Sequence, residues 1–289
     1  MAPIFEKIAI LGLGLLGGSL ALDLQHKKLS SQIYGYNRSP KNRGLALKRK
    51  ACHQVFDSAK EAVKEADLVV LATPVDSMIS LVQEIGPFLK PKTLLTDLGS
   101  TKASLVSQLP KLLPKGVYFL GGHPMAGSHQ SGMAQARLDL FKEKFWFLCP
   151  NPQEEKKPIA KKLKNNFKKL IQKLGAKPVF LEAKAHDRLL ANISHLPQML
   201  AYALMHSQLN IDQGLGLAYA GSGFLDTSRL AASSPEMWIG IAKENQKPLL
   251  KALQNFSKSL NKIEKALERK DFKSLTKYFE EVSQERQKL

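Results

Sequence analysis

The chain predicts a doubly wound parallel α/β sheet followed by an all-helical unit, and three observations predict it. A strand, a glycine turn and a helix open the chain at Lys7–Leu24. Short apolar runs then alternate with amphipathic stretches as far as Leu181. From about Ala185 the periodicity is helical only. Alternating strand and helix patterns favour a parallel sheet, because each crossover lays a helix on one of its faces.

The first strand is Lys7-Ile8-Ala9-Ile10-Leu11, and Gly12-Leu13-Gly14-Leu15-Leu16-Gly17 follows at once, leading into a helical Gly18–Leu24. This is G-x-G-x-x-G in the context it requires. Gly12 permits the tight turn, Gly14 lets backbone approach a pyrophosphate, and Gly17 lets helix and strand pack closely. With Leu16 in the turn, the helix N-terminus offers free N–H groups to phosphate. The expected architecture is therefore Rossmann-type and the expected ligand a dinucleotide.

The second strand, Gln32–Tyr36, ends in Asn37-Arg38-Ser39. An NAD site usually places a carboxylate there for the ribose 2′-hydroxyl. Here Arg38 can pair with a 2′-phosphate, and Asn37 and Ser39 can donate to it, which favours NADP. The other reading is that Arg38 stacks on adenine and NAD is accepted. Helices are expected at Lys41–Lys50 and Ala59–Glu65. Asp67–Ala72 reads as a central strand, ending at Thr73-Pro74, where the chain would turn over the nicotinamide ribose. Val75–Phe88 is helical, Thr93–Asp97 a strand and Ala103–Leu113 a helix.

Val117-Tyr118-Phe119-Leu120 is the next strand, and Gly121-Gly122-His123-Pro124-Met125-Ala126-Gly127 turns sharply after it. An imidazole on a tight loop at the carboxyl end of a strand is placed for proton transfer; the plainer reading is a solvated turn histidine. Ser100 lies at the end of the preceding strand and so near His123, although a helix N-cap would also explain it. Phe145–Cys149 is a further strand, and Pro178–Leu181 closes the sheet. The dinucleotide domain is expected to span residues 1–182 and the helical domain 183–289.

In the second half, His186–Gln208 reads as one long helix that Pro197 should kink. Gly214–Gly223 reads as a tightly packed helix and turn. Helices follow at Pro235–Lys243, through about Arg269, and at Asp271–Gln287. Their apolar surface exceeds what one small bundle needs, so a homodimer is expected. Arg229 beside Asp226, Thr227 and Ser228 suits carboxylate recognition, or is paired with Asp226. His195 reaches the same cleft, or is satisfied in the core.

Bulk properties narrow the class. With 289 residues and 44% hydrophobic content the chain can fill two cores. Cys52 and Cys149 lie outside metal-ligand spacing, and no metal is expected. With no secretory signal read, a reducing cytoplasmic setting is expected. No apolar run approaches the ~20 residues that span a membrane. The net charge of +18 could serve nucleic acid, anionic membrane or anionic small ligands. Its densest run, Lys156–Lys177, also carries Ile159, Leu163, Phe167, Leu170, Ile171 and Leu174 at helical spacing. The lysines are thus read as the solvated face of an amphipathic helix, the alternative being an anion-binding surface. No aromatic-interleaved basic groove is evident, so neither nucleic acid nor membrane is expected as a partner.

Taken together these stretches resemble the prephenate/arogenate dehydrogenase family of tyrosine-biosynthesis oxidoreductases. The resemblance is carried by Gly12–Ser19, Thr96–Lys102, Gly122–Gly127, Ile193–Pro197 and Gly223–Arg229. It implies an active site between a Rossmann domain and a helical dimerisation domain. It also implies oxidative decarboxylation of prephenate or arogenate with hydride transfer to NAD(P). The family's catalytic histidine falls on His123, its serine on Ser100 and its carboxylate-binding arginine on Arg229. His195, Ser128 and Trp238 match residues near the substrate. Leu225 stands where many members have a second arginine, and His129 where some have an acid. No appended regulatory or mutase segment is read, so feedback control by one is not expected. A β-hydroxyacid or imino-acid dehydrogenase, and a non-enzymatic basic NADP-binding protein, are the competing readings.

Overall fold

The computed structural model describes residues 3–127, 130–209 and 215–288. Its first part is one eight-stranded sheet, formed by β1 (Lys7–Leu11), β2 (Gln32–Tyr36), β3 (Gln54–Phe56), β4 (Leu68–Leu71), β5 (Leu94–Asp97), β6 (Tyr118–Pro124), β7 (Phe145–Pro150) and β8 (Lys177–Phe180). The spatial order is β3-β2-β1-β4-β5-β6-β7-β8. Strand order reverses between β1 and β4, which opens a crevice at their carboxyl ends.

Residue alternation explains why both faces are covered. Ile8 and Ile10 of β1 enter one core with Val70, while Ala9 and Leu11 enter the other with Val69 and Leu71. Helices α1 (Leu15–His26), α2 (Pro40–Lys48) and α6 (Pro158–Lys173) supply Leu24, Ala46 and Phe167 to the first core. Helices α3 (Ala59–Val63), α4 (Met78–Ile85) and α5 (Ala103–Leu112) supply Val63, Val82 and Leu109 to the second. α6 buries Phe167, Leu170 and Ile171, so its lysines form the outward face of an amphipathic helix.

Two features of the sheet depart from expectation. β3 was not predicted; it has three residues, only two of them apolar, and it lies at the edge beside β2. β7 runs antiparallel to β6, pairing His123 with Phe147, whereas β8 is parallel to β7. Among the described residues, the segment from β6 to β7 holds one short 3₁₀ turn, Met133–Gln135, and no crossover helix. Without a crossover the chain must return antiparallel.

The predicted helix at His186–Gln208 is two helices, α7 (Ala183–Leu190) and α8 (Leu196–Leu209), joined by a π turn at Ala191–His195. Pro197 is the second residue of α8 and follows the π turn directly. The wide turn thus takes the place of the expected proline kink and ends on His195. The helix and turn expected at Gly214–Gly223 fall partly on residues 210–214, outside the described residues. Beyond them come α9 (Leu215–Ala218), α10 (Ser222–Ser228), α11 (Pro235–Glu244), α12 (Gln246–Glu268) and α13 (Phe272–Arg286).

Candidate active site

At the end of β1, Gly12 has φ +112°, a conformation that side chains rarely adopt, and its N–H donates to the Tyr36 carbonyl at 2.8 Å. A side chain on Gly17 would run into the Gly12 carbonyl oxygen. No described residue lies within 4 Å of where a Gly14 side chain would begin, and Gly14 is the N-cap of α1 without a side-chain cap. The turn is thus closed on its inner side and open over the helix N-terminus, a shape that fits a pyrophosphate. Leu16 is half-buried beside it. At the end of β4, Thr73 Oγ1 is buried with no hydrogen-bond partner among the described residues, next to Pro74.

The β2 end carries no acid. Asn37 Oδ1 accepts from Ser39 N at 2.8 Å, and Ser39 caps α2 by accepting from Asn42 N. Both side chains therefore keep donor hydrogens available, while Arg38 is exposed. Arg43, which the sequence reading missed, donates to the carbonyls of Asn37 at 2.8 Å and Arg38 at 3.1 Å and so shapes this loop.

His123, the sixth residue of β6, is buried at 7% exposure with its ring near Phe147. Its Nδ1 lies 2.9 Å from Nε2 of His186, and His186 Nδ1 lies 2.8 Å from Asp187 Oδ1. Asp187 Oδ1 accepts from Lys102 N at 2.7 Å and Oδ2 from Ala103 N at 2.8 Å. The helical half therefore caps α5. The N-cap position of α5 is Lys102, so the N-cap alternative for Ser100 does not hold. Ser100 stands partly buried on the turn between β5 and α5 and makes no hydrogen bond to His123 among the described residues. Beneath it Asp97 and Lys102 form a fully buried ion pair. Asp97 also accepts from Gly99 N at 2.8 Å and Gly122 N at 3.0 Å.

Electrostatics set His123 apart. Burial, then the neighbouring His186, Lys102 and His195, hold its pKa well below the usual histidine value, so it is neutral near pH 7. His195 is fully buried, and desolvation lowers it to about 4, with Asp187 opposing and His186 assisting. Its Nδ1 is 3.1 Å from Asn245 Nδ2, while Nε2 has no partner among the described residues. The Trp238 ring lies 5.9 Å from it edge-on, and Trp238 Nε1 is likewise buried with no partner among the described residues. Arg229 is exposed at the start of a 3₁₀ turn and forms no ion pair with a described residue, so the Asp226 pairing is not found. Ser128 and His129 lie outside the described residues.

Because the unfolded chain protonates His195 and His123 more readily than the folded one, their contribution to stability is whole above about pH 6.5 and drains away below it. For His195 the loss runs from about pH 6.5 to about 4 and reaches on the order of 3 kcal/mol. Thermal unfolding followed from about pH 7 down to about pH 5 should show a falling Tm. His195→Asn should flatten that slope, and an unchanged slope would remove His195 as its source.

His186, Asp187, Asn245, Asp97 and Lys102 escaped the sequence reading as site residues. Asp97 and Lys102 lay inside a stretch already singled out, five residues apart. No periodicity marks His186, Asp187 or Asn245, whose meeting with β6 and α5 is tertiary.

Oxidising a carbon that bears a hydroxyl requires a hydride acceptor and a neutral base side by side. A glycine cradle and a neutral imidazole, both at the carboxyl edge of one sheet beneath a helical unit, meet that requirement. The class so defined is a two-domain nicotinamide-dependent dehydrogenase. Comparison with known proteins narrows it. Residues 20–179 match the model of the prephenate dehydrogenase nucleotide-binding domain, and residues 182–281 that of the prephenate dehydrogenase dimerization domain. A prephenate dehydrogenase of Bacillus subtilis is 34% identical over 277 residues, 95% of this chain and 73% of that protein. The prephenate dehydrogenase of Aquifex aeolicus, solved with hydroxyphenyl propionate and NAD+, superposes with a TM-score of 0.90 at 30% identity, covering 98% of each chain. Arogenate dehydrogenase of Synechocystis gives 0.77 at 28% identity, covering 98% of this chain and 99% of that one. The chain belongs to the prephenate dehydrogenase family.

Proposed function

We propose that this protein oxidatively decarboxylates prephenate, arogenate or both in tyrosine biosynthesis, with NADP favoured over NAD. The observation that carries the reading is the buried, neutral His123 at the sheet edge that also bears the glycine cradle. Residues 1–182 would hold the nucleotide through Gly12, Gly14, Leu16 and Gly17, the 2′-phosphate through Asn37, Arg38 and Ser39, and the nicotinamide ribose near Thr73 and Pro74. Bound there, the nicotinamide supplies the hydride acceptor. His123 takes the proton of the ring hydroxyl, and Ser100 orients that hydroxyl. Arg229 holds a substrate carboxylate. His195 and Trp238, each with a buried nitrogen that has no partner among the described residues, and Ser128 complete the substrate contacts. Loss of the ring carboxylate as CO2 leaves an aromatic ring, which makes the step effectively irreversible.

Residues 183–289 would also join two copies. Leu250, Leu260, Leu267, Phe272, Phe279 and Val282 are each more than half exposed, an apolar load that pairing two helical units would cover. Among the described residues no helix is long and apolar enough to cross a membrane. A cytoplasmic location is proposed from the two buried free thiols.

The test is a two-by-two assay, prephenate or arogenate with NAD or NADP, following reduced nicotinamide. Turnover in any cell supports the reaction, and the fastest cell names substrate and cofactor. Silence in all four from protein that binds NADP would overturn it. Arg229→Ala should raise the substrate KM by roughly tenfold or more while changing kcat less, since a charge-assisted contact is worth about 1.5–3 kcal/mol. An unchanged KM would remove Arg229 from the substrate site.

A further inference from the structure

We infer that Asp187 sets the two site imidazoles to opposite tautomers, acting on His123 through His186 and on His195 through Asn245. This rests on the proposed role of His123 as base.

The first branch follows from hydrogen counting. Asp187 receives N–H groups from Lys102 and Ala103, one on each oxygen, at the N-terminus of α5, where a negative charge is favoured. A carboxylate there has only acceptor sites, so His186 Nδ1 must donate to it across 2.8 Å. With its ring proton placed on Nδ1, His186 presents Nε2 as the acceptor, 2.9 Å from His123 Nδ1. His123 must therefore carry its proton on Nδ1, which leaves Nε2 as the acceptor. The second branch starts from the Asp187 backbone. Its carbonyl oxygen accepts from Asn245 Nδ2 at 2.8 Å, which fixes the amide with its NH2 group inward. The second hydrogen of that NH2 points to His195 Nδ1 at 3.1 Å, so Nδ1 accepts and the proton sits on Nε2. That N–H is buried and has no partner among the described residues.

One residue thus supplies an acceptor nitrogen to accept a hydroxyl proton and a donor nitrogen to hold a substrate oxygen. His186, Asp187 and Asn245 touch neither substrate nor cofactor in this scheme; they are positioning residues. When His123 gains its second proton, its Nδ1–H still faces the lone pair of His186, whose own proton faces Asp187. The charge is therefore spread toward a carboxylate without any atom moving.

The direct test is nitrogen-15 NMR of the full chain labelled at its seven histidines, with His123→Asn and His195→Asn spectra to identify the two signals. The expected result is a protonated Nδ1 and bare Nε2 for His123, and the reverse for His195. A wild-type His123 with the proton on Nε2, as a charged His186 would impose, overturns the inference without touching the role of His123. Kinetics give the second arm. His186→Leu should lower kcat roughly 10²-fold or more with KM values within about twofold, because the base loses its tautomer but the binding groups remain. His186→Gln, which can still accept from His123 Nδ1, should recover at least about tenfold of that loss. Turnover of His186→Leu within about twofold of wild type would also overturn it. If that variant fails to fold, the wild-type spectrum decides.

Discussion

His123→Asn should lower kcat by roughly 10²–10⁴ while leaving nucleotide affinity unchanged. Asparagine is the substitution that isolates the base. Its amide nitrogen can occupy the position of Nδ1 and still donate to His186, whose Nε2 is 2.9 Å away in the native protein. Only the far ring nitrogen is lost. The backbone of β6 is unaffected, because its pairing with Phe147 and the Asp97 contact to Gly122 do not involve the ring. Steady-state kinetics with a fluorescence titration of NADP separate the two effects. Near-normal turnover would show that the proton leaves by another route, with Ser100 or a water as the first suspect.

Lys102→Met should cost about 3–5 kcal/mol of folding stability, the range seen when one member of a buried ion pair is removed. Lys102 and Asp97 are both completely buried. Burial pushes the Asp97 carboxyl up, and Lys102 is the leading force that holds it down, ahead of the Gly122 and Gly99 N–H groups. Methionine keeps most of the stem volume and removes only the ammonium. The loss should shrink when Asp97→Asn is added, because the uncompensated charge then disappears. Urea unfolding of the single and double variants reads both numbers. A loss below about 1 kcal/mol would mean that the pair contributes no more than a surface contact. Activity should fall as well, since Asp97 anchors the residue just before His123.

Much of this was legible in the chain. The glycine turn, the central strands and the helical second half follow from local period and turn chemistry, and His123 stood out because its loop is built from glycine and proline. The hidden parts are those decided by distant contacts. β3 is too short and mixed to show a period. The reversed direction of β7 depends on what its connection lacks. The π turn before His195 leaves a helical pattern intact to the eye. Nothing local marks Asp187, which lies within the stretch read as one helix, and a helix N-cap was the alternative reading for Ser100. The structure gives that capping role to Asp187, 85 positions along the chain from the Lys102 N–H it accepts. Hydroxyl and carboxylate caps are chemically interchangeable, so spacing alone favours the local one.

That long-range cap makes the border between the two halves a shared joint. A chain ended after β8 would keep every strand of the sheet and the whole glycine cradle. It would still lose the acid that satisfies two N–H groups of α5 and, with it, the partner of His123. The nucleotide-binding half is thus complete as architecture and incomplete as chemistry. Grafting it onto a different helical partner would carry over the cofactor site, but the base would arrive without the residues that decide which of its nitrogens is free.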